Sequence, residues 1–275
     1  MYKKILSFIK SLVVFRWKPG KDLVVVVVSW VLVVASLYTA TVIVGADTGG
    51  GIPYFLLYAG LTATIFGVGL PVYWIVFRQK RSISDLGISR KNLLLSLVLQ
   101  VIFTGIVLPG GFKDLTLPAF EQLVPLICLA LTIGFFEAIF WRGWVLMRLE
   151  EAFGFIPAAL VGSALYAAYH IGYDMPLNEM VFLFFIGLMY AIVFRLTGSI
   201  LILWPLFQPG GQLITLIKEG LELPLLASVG FIEVFIVMVV LIWFSTRYLK
   251  KYKQKKLVRV DQILESQIQS NSLIR

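Results

Sequence analysis

The sequence is short of charge. Asp, Glu, Lys and Arg make up 14% of its 275 residues, against 59% hydrophobic, whereas a soluble domain carries roughly 25% charged residues. The charges that remain are clumped, with long uncharged stretches between them. Most of the surface must face something other than water, and a single helical bundle in lipid, with no second soluble domain, follows. The one cysteine, Cys128, excludes an internal disulfide and a thiolate metal cluster; in the run LICLALTIGFF it reads as an inert packed thiol. The one histidine is His170. A zinc site takes three or four Cys, His or carboxylate ligands, so no metal is expected, and no cofactor. Glycine-rich phosphate loops and basic–aromatic platforms are also missing, which argues against nucleic acid despite a net charge of +9. The basic residues flank apolar stretches instead, where they set topology and meet anionic headgroups.

What is abundant is apolar sequence of membrane-spanning length, about 20 residues. Eight segments qualify: Leu23–Val44, Tyr54–Phe77, Leu93–Pro109, Phe120–Leu149, Ile156–Gly172, Leu177–Phe194, Ile200–Ile217 and Leu223–Tyr248. The expected fold is an all-α polytopic transmembrane bundle of about eight helices. With the N-terminus in the cytoplasm and the crossings alternating, the runs before the first segment, after the second and in the tail all fall inside. Only Lys113 and Lys218 fall outside, in accord with the preference of Lys and Arg for the cytoplasmic side. The expectation is a multi-pass cell-membrane protein with both termini cytoplasmic. Residues 1–22 read as a basic amphipathic surface segment, because Arg16 and Lys18 interrupt the apolar run and no small-residue cleavage site follows. The bundle occupies 23–249, and 250–275 form a basic and polar tail, either a short surface helix or disordered.

Charge deep in a bilayer is costly and points to function. Three groups qualify: Glu137, His170 and Glu233. Glu137, in GFFEAIFWRGW, is either a functional acid or a structural one paired with a helix neighbour. Arg142 follows at an offset of five, not the four that best pairs side chains on an α-helix. His170, in SALYAAYHIGYD, is either bonded to a carbonyl or part of a site with Glu137 on the adjacent antiparallel helix. With the turn expected near Glu150, Glu137 lies about 12 residues from it and His170 about 17, a mismatch that helix tilt absorbs in part. The seventh segment holds LWPLFQPGGQL, whose prolines break a helix; broken backbone at depth is tolerated only against protein or a wet cavity. Gln208 and Gln212, four apart, are either donors for a developing oxyanion or interhelical glue. Glu233, in SVGFIEVFIVMVV, stays unassigned.

These stretches resemble the CPBP family of intramembrane proteases, which contains the CAAX prenyl endopeptidases and the bacteriocin-processing or immunity proteins (also called the Abi family). The resemblance runs from about Asp85 to Gln212, through SDLGISRKN, FFEAIFWRGW, SALYAAYH and FIGLMYAIVFRLTGSILILWP. The family pattern is Glu-Glu-x-x-x-Arg, then aromatic-x-x-x-His, then His-x-x-x-Asn or Asp. Glu137 and Arg142 match the first motif, and Tyr166 and His170 the second. The resemblance implies that Glu137 activates water, that His170 positions it or shares its proton, and that the third motif supports the tetrahedral intermediate. Ala138 stands where the second glutamate is expected. Gln208 and Gln212 are the best counterparts of the third motif, which has no histidine here, and the strict position falls on Pro209.

The leading expectation is therefore a divergent member: an intramembrane endopeptidase hydrolysing a peptide bond in a membrane-anchored or lipidated peptide. Glu137 is the base, His170 orients the water, Gln208 and Gln212 hold the oxyanion, and Arg142 braces the glutamate or the helix end. The rival is a non-catalytic member, an immunity factor or scaffold, favoured by Ala138 and the missing histidine. A small transporter with Glu137 and Glu233 on a proton path is a third reading, against which stands the lack of a repeat of paired broken helices.

Overall fold

The computed structural model describes residues 12–45, 51–113 and 115–272. They form helices and no strands, as lipid requires: backbone polar groups have no water to bond at depth and must be satisfied within each helix. Six helices are long and apolar enough to cross a membrane: α1 (Lys21–Val44), α2 (Ile52–Arg78), α4 (Phe120–Phe153), α5 (Phe155–Tyr173), α6 (Leu177–Thr197) and the Ala227–Arg259 part of α8. α3 (Leu93–Val107) is shorter and is followed by one further turn, Pro109–Phe112. The protein is thus a multi-pass helical membrane bundle.

The seventh apolar segment differs from a continuous span. A single 3-10 turn (Ile200–Ile202) is followed by irregular chain through Pro205 and then by α7 (Phe207–Lys218). Its 12 residues rise about 18 Å, short of the roughly 30 Å hydrocarbon core. The break falls where proline removes a backbone donor. Pro209, by contrast, sits in the first turn of α7, where the missing N–H has no intrahelical partner to lose. α8 continues as one helix to Ser272, so no break separates span from tail at Lys250. Residues 1–11 of the expected surface segment lie outside the described residues. Farther along it, the Arg16 and Lys18 amides donate to the Phe153 and Ala152 carbonyls at the end of α4.

α4 is the central helix, packed on α2, α7 and α8, while α5 packs on α6. Apolar faces alone cannot hold helices together in lipid; close packing and interhelical hydrogen bonds do. Tryptophan indoles supply such bonds: Trp30 Nε1 donates to the Leu165 carbonyl (2.9 Å), Trp144 Nε1 to Ser29 Oγ (3.0 Å) and Trp204 Nε1 to the Leu131 carbonyl (2.9 Å). The outer face of α3 leaves Leu94, Val101 and Ile106 exposed for lipid contact.

α4 is not uniform. Residues Ala138–Leu146 are wound as a π-helix, and all nine residues are buried. Gly143, inside that stretch, lets the Leu86 carbonyl of the 3-10 turn Ile83–Leu86 approach, since a Cβ there would lie 2.1 Å from that oxygen. At this end of the bundle Arg81 bonds Asp85 and Glu151, both at 2.6 Å, and buried Arg148 reaches Glu151 at 3.0 Å. The bond to Glu151 holds Arg81 protonated even more firmly than usual. The network pins the connector against α4. Because backbone opposes backbone at Gly143, Gly143→Ala is expected to cost about 1–3 kcal/mol by overpacking, read as a lower midpoint of thermal unfolding in detergent.

Candidate active site

Glu137 is the last α-helical residue of α4 before the π-wound stretch, and it is 3% exposed. The turn between α4 and α5 falls at Gly154, whose φ of 89° favours glycine, and not near Glu150. Glu137 is therefore 17 residues before the turn and His170 is 16 after it. The mismatch in residue count expected from sequence disappears. The π winding also changes the relation of Glu137 to Arg142: with i→i+5 bonding, an offset of five is one turn. The two groups attract one another, but no ion pair joins them.

The carboxylate is gripped from two sides. Tyr169 Oη, on α5, donates to Oε1 at 2.9 Å. Gln208 Nε2 and Gln212 Nε2, both on α7, donate to Oε2 at 2.7 and 2.8 Å. Their four-residue spacing puts both amides on one face of α7, as the sequence pattern requires. α7 comes this close because position 134 is glycine: a Cβ there would lie 2.6 Å from Pro209 Cγ and 3.1 Å from Gln212 Oε1. An ionised carboxylate offers about four acceptor positions. Three are used, and the fourth is on Oε1.

His170 is buried, at the junction of α5's α-helical part with its final 3-10 turn. Its Nδ1 lies 2.9 Å from the Tyr166 carbonyl. A carbonyl only accepts, so Nδ1 carries the proton and Nε2 keeps its lone pair in the neutral ring. No hydrogen bond joins His170 to Glu137; Tyr169 is the intermediary, with its ring 4.5 Å from the imidazole. Arg142 is fully buried, its guanidinium carbon 5.2 Å from the centre of the Tyr166 ring and 5.8 Å from that of Tyr190. Glu233 is exposed on α8.

Sequence reasoning named Tyr166 but missed Tyr169, Tyr173 and Tyr58. Tyr169 lies 3.1 Å from the Tyr173 hydroxyl, which lies 2.8 Å from that of Tyr58 on α2. Because the Tyr169 proton goes to Glu137, Tyr173 donates to Tyr169 and Tyr58 to Tyr173. The signal was the spacing in YAAYHIGY, where Tyr166, Tyr169, His170 and Tyr173 recur at three and four residues on one helical face. Among the described residues, no group of three or more His, Cys, Asp or Glu is placed to hold a metal ion.

Residues 119–206 match the family model described as Rce1-like, type II CAAX prenyl endopeptidase. That match contains Glu137, Arg142, Tyr166 and His170, and it ends two residues before Gln208. The resemblance to the CAAX prenyl endopeptidase and bacteriocin-processing family holds over this stretch, which covers α4, α5 and α6. No curated protein matches the chain.

Proposed function

We propose that the protein is an intramembrane endopeptidase of the CAAX-protease type, which hydrolyses a peptide bond in a lipidated or otherwise membrane-anchored peptide. The observation that carries this reading is the Glu137 carboxylate: buried midway along α4, held by three donors, with one acceptor position left on Oε1. A water bonded there is oriented by a base that cannot swing away, and a general base contributes typically 10²–10⁴-fold.

The steps balance without a further reactant. Oε1 takes a proton from water as the water oxygen bonds to the substrate carbonyl carbon. Each glutamine amide uses one N–H on Glu137 and has a second to offer to the oxygen that becomes negative. His170 Nε2 accepts the water's other hydrogen and so fixes its orientation. Collapse of the tetrahedral intermediate breaks the C–N bond, and the proton on Glu137 passes to the departing amine. Arg142 is one turn from Glu137 along the π-wound stretch. The basic flanks of the spans support a cell-membrane orientation with both termini in the cytoplasm.

A non-catalytic reading, as an immunity factor or scaffold, is favoured by one observation: both glutamines donate to Glu137 itself. The exposure of Glu233 on α8 gives a proton path from Glu137 through it no support. The two remaining readings separate when protein in lipid nanodiscs is given an S-farnesyl peptide and the products are weighed by mass spectrometry. The endopeptidase yields two fragments cut at one bond. Intact peptide under conditions where it binds leaves the scaffold.

A further inference from the structure

Glu137 is bonded directly from α5 and α7, and α2 reaches it through hydroxyls. Tyr58 Oη on α2 lies 2.8 Å from Tyr173 Oη, Tyr173 Oη lies 3.1 Å from Tyr169 Oη, and Tyr169 Oη lies 2.9 Å from Glu137 Oε1. Each phenol has one proton to give, and Tyr169 gives its proton to the carboxylate. The order of donors is then fixed outward from that end: Tyr58 to Tyr173, Tyr173 to Tyr169, Tyr169 to Glu137. A neutral contact between helices needs no such order. Ser36 Oγ on α1 meets Thr62 Oγ1 on α2 at 2.8 Å, beside the Leu32 and Val33 carbonyls, and either hydroxyl can donate. The tyrosine chain ends on a charge instead, where a hydrogen bond is roughly twice as strong and where each bond polarises the next.

The two outer phenols are held from beyond the carboxylate. Tyr58 is 6% exposed, with its ring stacked on Tyr54 (5.7 Å, 24°) and set edge-on to Tyr173 (6.2 Å, 66°). Tyr173 ends the 3-10 turn of α5, and α1 fixes that turn. The Thr41 hydroxyl donates to the Gly172 carbonyl, and a Cβ at Gly172 would lie 2.7 Å from Leu37 Cδ2. We propose, resting on the endopeptidase reading above, that Tyr58 and Tyr173 are positioning residues for the hydrolysis. A Tyr169 hydroxyl that accepts from Tyr173 cannot turn its proton toward Tyr173, so that proton is committed to Oε1. The other acceptor position of Oε1 is thereby left to the water. Tyr58 acts in the same way one step farther out: by donating to Tyr173, it leaves the Tyr173 proton only Tyr169 to bond. The aim of the base on α4 is thus set in part from α2 and α1, by groups that never touch substrate.

The test is a mutant cycle read in two ways on protein in lipid nanodiscs. Tyr58→Phe and Tyr173→Phe each delete one oxygen and keep the ring, so the packing stays. Tyr173→Phe is expected to lower kcat for an S-farnesyl peptide about 10-fold and Tyr58→Phe about 3-fold, within the range of one neutral hydrogen bond, with KM unchanged. The second reading needs no turnover. It is the infrared band of the Glu137 carboxyl group, identified as the band that Glu137→Gln removes. Its shift is expected to be largest for Tyr169→Phe, smaller for Tyr173→Phe and smallest for Tyr58→Phe. In a Tyr169→Phe background, Tyr58→Phe is expected to move neither rate nor band, because the link to Glu137 is already cut; independent structural effects would add instead. A band that Tyr58→Phe leaves in place overturns the inference. So does a Tyr58→Phe rate equal to that of wild type, or a shift that is the same with and without the Tyr169 hydroxyl. Each of these leaves the endopeptidase reading standing if wild type cuts the peptide. Wild-type protein that never cuts it, while the band follows the expected order, contradicts that reading and upholds the hold of the tyrosines on Glu137.

Discussion

Glu137→Gln is expected to lower peptide cleavage by about a thousandfold or more, toward the upper end of what a positioned general base contributes, with the folded protein intact. The two effects separate because of the carboxylate's partners. Glutamine has the volume of glutamate, so packing between α4, α5 and α7 is kept. Its carbonyl oxygen still accepts from Tyr169 or from α7. Its NH₂ group can face the glutamines if they turn over and present Oε1, which at both Gln208 and Gln212 is buried without a partner. What the amide cannot do is take a proton from water. The check is the initial rate of peptide cleavage in nanodiscs beside the thermal unfolding midpoint. A large loss of rate with a midpoint within a few degrees of wild type is the expected pair of results.

His170→Ala is expected to be the second most damaging change, costing about a hundredfold in turnover, the low end of acid–base and positioning effects. The imidazole does not touch Glu137, so its removal leaves the three hydrogen bonds to the carboxylate in place. It removes the Nε2 lone pair to which the proposed mechanism gives the orienting of water, and it removes the ring between Tyr166, Tyr169 and Tyr173. A ring-sized space beside Tyr169 also loosens the hydroxyl that holds Oε1. His170→Asn, whose side chain can again bond the Tyr166 carbonyl and offer an acceptor, is expected to recover part of the rate. Cleavage by His170→Ala equal to wild type would place the histidine outside the reaction.

The helical spans were legible because the bilayer acts on composition: about 20 apolar residues with basic flanks leave few alternatives. The break at Pro205 was legible for the same kind of reason, since proline has no amide hydrogen in any context. Glu137, Gln208 and Gln212 could be named because deep polar groups in lipid are rare and costly. Their joint hold on one carboxylate rests on two features that no local pattern fixes. One is the tight passage of α7 across Gly134, which is a property of two helices and not of one. The other is the Gly154 turn, four residues beyond the position expected near Glu150; that shift puts Glu137 and His170 at nearly equal residue distances from the turn. The π winding of Ala138–Leu146 was hidden as well, because α and π turns differ in hydrogen-bond register and not in residue type. It turns the offset of five between Glu137 and Arg142 from a poor pairing into one turn. The tyrosine chain Tyr58–Tyr173–Tyr169 escaped notice because phenols carry no charge at neutral pH and read as ordinary aromatic packing.

A single turnover in ¹⁸O-labelled water, with protein in excess over peptide, reads the central step. If Glu137 delivers a proton-stripped water to the carbonyl, the newly formed carboxyl terminus carries one heavy oxygen from the first cleavage onward and the protein carries none. A first-turnover product with only light oxygen, or peptide covalently attached at residue 137, would mean that the carboxylate attacks directly and that water activation is the wrong chemistry.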